Sequence, residues 1–453
     1  MELRDFLSAL EVEGELVRIP DRVSPRLEIG EVTRRVAAAG GPALLFERPG
    51  DFDIPVATNL FGTARRMAAA LGVSDLGDLG DRFLRFLDLD PAARRSLVTE
   101  VDEAAAPCRE VVRDGRAADL GELPVPLAWP GDGGPFLTLP VVLTRHPETG
   151  EVNAGMYRVQ VFDARTAGLG CHPASGAAAH VRAAEAGGRP LDVAVALGPA
   201  TALTYAATVP LPPGLDELSL AGFLQGAPVA VVPGRTVDVA VPAGAEIVVE
   251  GRIQPGERRP VGPAGNHTGR YAPAVSAPVI RVTAVTRRDR AVLPATQVGP
   301  PPQEDRWFVR ATERLFLPWW RRRYPGLLDV HLPEEGLFGH IALVRVARGH
   351  GRDVLRSLFS APFLGGFKLI AAFDEEVDLR DPSQVLWRLG ADLDPERDLV
   401  VPDPDLDPAP SLPHYGGRLG LDATRGAARP MRPDPAAARR AAALCRRLEL
   451  AGR

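Results

Sequence analysis

The sequence predicts a multidomain mixed α/β protein, with a helix–strand alternating unit at each end and an almost purely β region between them. Three observations predict it. Helical and extended apolar periodicities alternate up to about residue 115 and again beyond residue 304. Between about 137 and 299, short period-two apolar runs follow one another, separated by glycine- and proline-rich turns. And 453 residues exceed what one ordinary core accommodates, so two or three domains are expected.

In chain order, MELRDFLSALEVEGELVRI reads as an acidic amphipathic helix followed by a strand, without the charged-then-apolar build of a secretion signal. PALLFERPG and IPVATNLFG are strand-like, and helices are expected near 64–72 and 81–98, completing an α/β unit over 1–115. LGELPVPLAWPGDGGPF (120–136) is a proline- and glycine-rich connection and marks a boundary. The runs LTLPVVLT, YRVQVFD, LDVAVALG, APVAVVPG, AEIVVEGRI, APVIRVTAVTRR and AVLPATQVG make 116–300 an antiparallel barrel or sandwich. Over 301–453 alternation returns: the helix EDRWFVRATERLFL, interrupted at Pro318, then the strand HIALVRVA, a helix near 352–359, FKLIAAFDEEVD and PSQVLWRLG. The terminal helix starts at Pro433-Asp434-Pro435, with Asp434 as N-cap and proline at the first helical position. Its Arg/Ala face either packs on a neighbouring subunit or stays in solvent.

The net charge of −5 and pI near 6.0, with both signs interspersed, offer no electrostatic ground for nucleic acid or a membrane surface as partner. No apolar run reaches the length of about 18 residues that a span needs, so a cytoplasmic protein is expected. Cys108, Cys171 and Cys445 lie far apart with no CxxC pair, which excludes a disulfide framework and a zinc knuckle. Lys368 is the only lysine and thus the sole candidate for Schiff-base chemistry.

Three stretches carry candidate chemistry. In NAGMYRVQ, read as one strand bent at Gly155, the amide oxygen of Asn153 suits a hard cation and the guanidinium of Arg158 a carboxylate, unless Arg158 merely pairs with a surface acid. In VGPPPQED, Glu304 and Asp305 enter the first turn of a helix, where carboxylates either cap the dipole or face an arginine as proton donors. In GRLGLDATR, Arg418 and Arg425 with backbone amides form a candidate phosphate cradle. FDEEVD (373–378) is set aside because acids at a strand end usually cap or stay solvated, and Cys171-His172 because neighbours on an extended chain point opposite ways.

Together these stretches resemble the UbiD family of prenylated-flavin-dependent decarboxylases over nearly the whole chain. The resemblance is carried by GPALLFERPG, PVATNLFG, DLGELPVP, PETGEVNAGMYRVQ, VPAGAEIVVEG, GPPPQED, FKLIAAFDEEVDLRDPSQVLWRLG with DPERD, and GRLGLDATR. It implies a central split β-barrel of flavin-binding type, a site between barrel and C-terminal domain, and a homo-oligomer, dimer or hexamer. It further implies prenylated FMN, made by a flavin prenyltransferase, acting on a small aromatic or α,β-unsaturated carboxylic acid. Arg158 would orient the carboxylate and Glu304 would deliver the proton, with Asp305 beside it. Asn153, Met156, Tyr157, Arg158, Gln160 and Arg418 would contact the cofactor. A divalent cation, Mn or Mg, with K+ nearby, would sit on Asn153 with His172 or His267.

The sequence also departs from the family. The usual EGP(F/Y)G(E/D) reads Val261-Gly262-Pro263-Ala264-Gly265-Asn266, which removes two acids. The metal-binding histidine expected 21 to 23 residues after the asparagine falls at Ala174 to Gly176, with His172 the nearest histidine. Fewer hard ligands weaken a divalent site. The leading expectation is a non-oxidative, reversible decarboxylase. The alternatives are an accessory subunit with a decayed metal site, and an enzyme using ordinary FMN for redox chemistry.

Overall fold

The structure is a computed structural model. It describes residues 1–402 except 338 and 362, together with 417–424, 431 and 433–448; Arg425 lies outside the described residues.

The first helix, Leu3–Val12, buries Leu3, Phe6, Leu7 and Leu10, one apolar stripe at helical spacing. It lies against a four-stranded sheet in the order Leu16–Val23, Ala43–Pro49, Val56–Thr58, Leu293–Ala295. The fourth strand comes from the far end of the central region and pairs in parallel with Val56–Thr58. The expected boundary at 115 is crossed elsewhere too: Val98–Glu100 pairs with Val229–Val232, and Val111–Asp114 with the strand Val275–Arg287. Local patterning marks strands well but says nothing about which distant strand supplies the partner.

The central region is a nine-stranded sheet. Its ladder runs Phe136–Leu137, Arg158–Asp163, Thr166–Gly170, Val275–Arg287, Ile247–Val261, Leu191–Leu197, Pro140–Arg145, Val152–Gly155. Val152–Gly155 and Arg158–Asp163 stand near opposite ends of this ladder, yet only Met156 and Tyr157 separate them in the chain. A trans peptide chain advances at most about 3.6 Å per residue, so the sheet must curl until its two margins meet. No pairing joins those margins among the described residues, so the ladder is curled and unclosed. Asn153 and Arg158 therefore do not share one bent strand, as the sequence suggested; they sit on two strands facing each other across a two-residue seam.

The C-terminal unit is a five-stranded sheet ordered Leu327–His331, Ile341–Val346, Leu369–Phe373, Leu419–Ala423, Leu399–Val400, with the middle three parallel. The helix Asp305–Arg323 joins this unit to the rest: Phe308 meets Phe61 edge-on at 4.9 Å, and Phe316 meets Phe83 at 4.9 Å. Pro318 does not interrupt this helix. Gly80 on the helix Leu79–Leu87 lies so close that a Cβ there would meet the proline ring at 2.4 Å and the Arg314 carbonyl at 2.9 Å. The helix Leu79–Leu87 thus packs closely on the proline turn. The terminal helix, Pro435–Arg447, opens as expected, with Asp434 accepting from the Ala437 amide at 2.7 Å, and buries none of its residues.

Candidate active site

The site is built outward from the strand Arg158–Asp163. Alternation places Arg158, Gln160 and Phe162 on one face. Gln160, buried, accepts from the Gly262 amide at 2.7 Å, and Arg158 donates from Nη1 to the Gly265 carbonyl at 2.9 Å. These two bonds fasten the loop that follows Val261 to the strand. Asp132 fixes the same loop from the other side, accepting from the Gly265 amide (2.7 Å) and from the Trp129 amide (3.0 Å). The Trp129 indole donates to the Val298 carbonyl at 2.7 Å. Gly265 and Gly299 are required here, because a Cβ on either would meet that indole at 2.4 and 2.6 Å.

This arrangement brings His267 to the start of the helix Asp305–Arg323. Its Nδ1 lies 3.1 Å from Oδ2 of Asp305. Burial, and then the charge of Arg158, push His267 down to about 4, against the pull of the Gly299 carbonyl. Burial pushes Asp305 up to about 8, and the neighbouring Glu304 carboxyl adds to the shift. At neutral pH the pair is thus a protonated carboxyl against a neutral imidazole. Oδ1 of Asp305 is buried without a well-formed hydrogen bond to any described residue.

Glu304 turns the other way. Its Oε2 accepts from the Phe61 amide at 2.9 Å, and Arg66 is the cation that acts on it. Burial raises its carboxyl above the ordinary range, the Phe61 amide opposing. Arg158 is pushed down by burial, with Asp132 the acid that opposes. Of the two acids taken from sequence, Asp305 shares the Arg158 side through His267, whereas Glu304 faces the N-terminal unit.

Asn153, His172 and His267 do not come together. His172 sits in an exposed turn, where Nδ1 accepts from the Ala174 amide at 3.2 Å, and His267 lies beside Asp305 at the helix start. Asn153 instead donates to Glu217 (3.4 Å) and accepts from the Tyr157 hydroxyl at 3.0 Å. Glu217 also accepts from the Ala154 amide at 3.0 Å, and burial raises it to about 7. Sequence reasoning missed Glu217, which is 64 residues from Asn153 in the chain and meets it only through tertiary packing. Gly176 packs so tightly that a Cβ would meet Asn153 at 2.8 Å. Among the described residues no group of three His, Cys, Asp or Glu side chains could hold a metal ion. The residues therefore do not fit a protein-held divalent site. Met156 is half-buried against the main core, its amide donating to the Ala207 carbonyl at 2.8 Å.

A second group was legible only in part. Ile341, Leu369 and Leu419 are in register across three parallel strands, so His340, Lys368 and Arg418 precede them side by side. The His340 carbonyl accepts from Leu369 and the Lys368 carbonyl from Leu419. Arg418 donates to the Phe359 carbonyl at 3.0 Å. His340 acts electrostatically on His267, which ties this basic row to the Asp305 side. In Cys171-His172, Cys171 packs against a core cluster while His172 is exposed, and Asp374 of FDEEVD pairs with Arg388 at 3.1 Å.

Comparison with known proteins settles the family. Profiles for the N-terminal, Rift-related and C-terminal domains of 3-octaprenyl-4-hydroxybenzoate carboxy-lyase match residues 7–83, 99–301 and 306–423. The chain belongs to the UbiD family. It is 42% identical to an uncharacterised protein of Archaeoglobus fulgidus, over 94% of this chain and 92% of the relative. Among solved structures it is similar to an evolved dimeric form of the UbiD-class enzyme HmfF from Pelotomaculum thermopropionicum in complex with prFMN. That match has 29% identity and a TM-score of 0.81, over 96% of this chain and 98% of the other. It is also similar to vanillic acid decarboxylase of Sedimentibacter hydroxybenzoicus in closed form, at 27% identity and TM-score 0.86, over 99% and 98%. The matches extend through all three regions of the chain and cover Arg158 and His267, whereas Glu304 and Asp305 fall in the short gap between the Rift-related and C-terminal matches.

Proposed function

We propose that the chain decarboxylates an aromatic, heteroaromatic or α,β-unsaturated carboxylic acid with prenylated FMN, held in the curled central sheet as in a split barrel of flavin-binding type. The observation that carries this reading is a half-buried arginine, Arg158, on the same side as a carboxyl that burial raises to about 8, Asp305. The prFMN complex of a similar enzyme supports it. Buried Oδ1 of Asp305 and Oε1 of Glu304, each without a well-formed partner among the described residues, fit a site that a ligand completes. Bound there, the cofactor would supply the electron sink for loss of carbon dioxide.

The chain's own residues do the rest. Arg158 takes the substrate carboxylate, a geometry its planar fork favours. Tyr157 and Asn153 at the seam would hold the flavin, and Lys368 and Arg418 would offset the charge of its phosphate. A proton from the Glu304–Asp305 pair replaces the departing carboxylate. No step is assigned to a divalent cation.

The test is co-expression with a flavin prenyltransferase, followed by absorbance and mass analysis of bound flavin and carbon dioxide release from a panel of conjugated acids. Colourless, flavin-free protein overturns the reading. A second reading, an accessory UbiD-like subunit, is favoured by Val261 and Asn266 where the family has acids, and by the dispersed metal ligands. Flavin-loaded protein that turns over acids only when a second chain is added would decide for it.

A further inference from the structure

Arg158, which takes the substrate carboxylate in the reading above, makes no direct ion pair among the described residues. Its Nη1 donates to a neutral acceptor, the Gly265 carbonyl, at 2.9 Å. A guanidinium carries five donors and a fixed charge, so one carbonyl answers little of either. The two positions where the family motif carries acids do not make up the difference. Val261 is buried with Phe136, Ala264 and Ala277. Asn266 turns back on its own loop, its Oδ1 accepting from the Thr268 amide at 2.9 Å and the Thr268 hydroxyl at 2.5 Å.

The acid that acts on Arg158 comes from another part of the chain, Asp132. It closes the turn Trp129-Pro130-Gly131-Asp132 by reciprocal bonds: the Trp129 amide donates to Asp132 Oδ2 at 3.0 Å, and the Asp132 amide to the Trp129 carbonyl at 3.1 Å. The turn is pinned to the loop after Val261, with the Gly133 amide donating to the Pro263 carbonyl at 2.7 Å and the Gly131 amide to the Tyr271 hydroxyl at 3.0 Å. Asp132 Oδ1 then accepts from the Gly265 amide at 2.7 Å. Gly265 is therefore held from both ends, its N–H on the Asp132 carboxylate and its C=O on the Arg158 guanidinium. Its close approach to the Trp129 indole, which a Cβ would meet at 2.4 Å, leaves it no room to shift.

We infer that Asp132 is a positioning residue for Arg158: acting through Gly265, it fixes the guanidinium in place and supplies the counter-charge that Val261 and Asn266 do not. This rests on the decarboxylase reading above. The need for aspartate is geometric as well as electrostatic. Two amides converge on its carboxylate, one on each oxygen, and an asparagine of the same size answers only one of them.

The experiment uses the full chain, with equilibrium binding read on protein carrying unmodified FMN and turnover on protein carrying prenylated FMN. The probes are the fastest-used acid of a panel that includes 4-hydroxybenzoate and cinnamate, and the neutral product of its decarboxylation. Wild type is compared with D132N, D132E, R158A and the double variant D132N/R158A, bound flavin being measured in each. D132N is expected to weaken binding of the acid about 10- to 100-fold, the worth of a hydrogen bond to a charged group, while flavin content and binding of the neutral product stay as in wild type. D132E, which keeps the charge and both acceptor oxygens, is expected to recover part of the loss. In the R158A background D132N is expected to add no further loss, because a residue that acts through another then has nothing to act on. Acid binding unchanged in D132N, an equal loss for acid and neutral product, loss of flavin from D132N and D132E alike, or losses that add in the double variant would each reduce Asp132 to a turn cap and overturn the assignment. A wild type that still releases carbon dioxide keeps the decarboxylase reading in all four cases. A wild type that binds no flavin, or turns over no acid of the panel, overturns that reading and this inference with it.

Discussion

The helix Asp305–Arg323 carries two kinds of buried acid within three turns. At its start, Glu304 and Asp305 have carboxyls raised by burial. Two turns later Glu313, fully buried, is held below the ordinary carboxylate range despite its burial, because His331, Arg310 and Arg314 surround it. It pairs with Arg310, with Arg314 at 3.2 Å, Arg380 at 3.4 Å and His331 at 3.3 Å, and its Oε2 accepts from the Leu332 amide at 2.8 Å. Asp329 belongs to the same network through Arg314 (2.8 Å) and Arg380 (2.9 Å), and is lowered to about 2. A carboxyl supplied with cations is a structural joint. One buried beside another acid and a neutral imidazole stores a proton, and such groups cluster at functional sites.

The difference is open to attack from both ends of the helix. Glu313→Ala leaves Arg310, Arg314 and Arg380 without their shared acid, and removal of one partner from a buried ionic network costs about 3–5 kcal/mol. Chemical denaturation should show that loss, and an unchanged midpoint would mean the network is solvated. Arg158→Ala should cost about 10²–10³-fold in carbon dioxide release, comparable to removing one preorganised charge-stabilising donor, with the unfolding midpoint nearly unchanged. Carbon dioxide release from the flavin-loaded variant is the measurement, and near wild-type turnover would remove Arg158 from the site.

The pH dependence of stability separates the two ends with opposite signs. Asp329, lowered from 3.8 to about 2, contributes about 2–3 kcal/mol that is present above its unfolded value and lost as pH falls toward 2. Asp305, raised from 3.8 to about 8, binds more protons folded than unfolded, so it lowers stability as pH rises between those values. His267, depressed from 6.5 to about 4, acts oppositely between 4 and 6.5 and cancels that slope. Glu217, raised to about 7, adds a fall of the same sign up to that pH, so the part that belongs to Asp305 lies between about pH 7 and 8, and Asp305→Asn should flatten it in denaturant midpoints taken across that window. The smallest effect is expected at the seam: Tyr157→Phe removes the donor to Asn153 and should cost about 1 kcal/mol, read as a small drop in melting temperature.

Much of this was legible in sequence. Period-two runs located most of the central strands, Asp434 marked its helix start, and collinear motifs identified the family. What was not legible depended on distance along the chain. Leu293–Ala295 completes a sheet that begins at residue 16, and Glu217 meets Asn153 across 64 residues. The proline rule anticipated a break at Pro318, where the helix runs on and packs closely against Gly80. Glu304 and Asp305 were read from the sequence as one pair at a helix start. Only the direction of each side chain separates them, and that is set by Phe61 on one side and His267 on the other.

The two-residue connector at Met156–Tyr157 has a consequence for how this chain can change. Side chains alternate along a strand, so adding or deleting a single residue there would turn Arg158 and Gln160 to the opposite face together. Substrate preference can drift through the walls of the site, but the length of that connector has to be inherited unaltered.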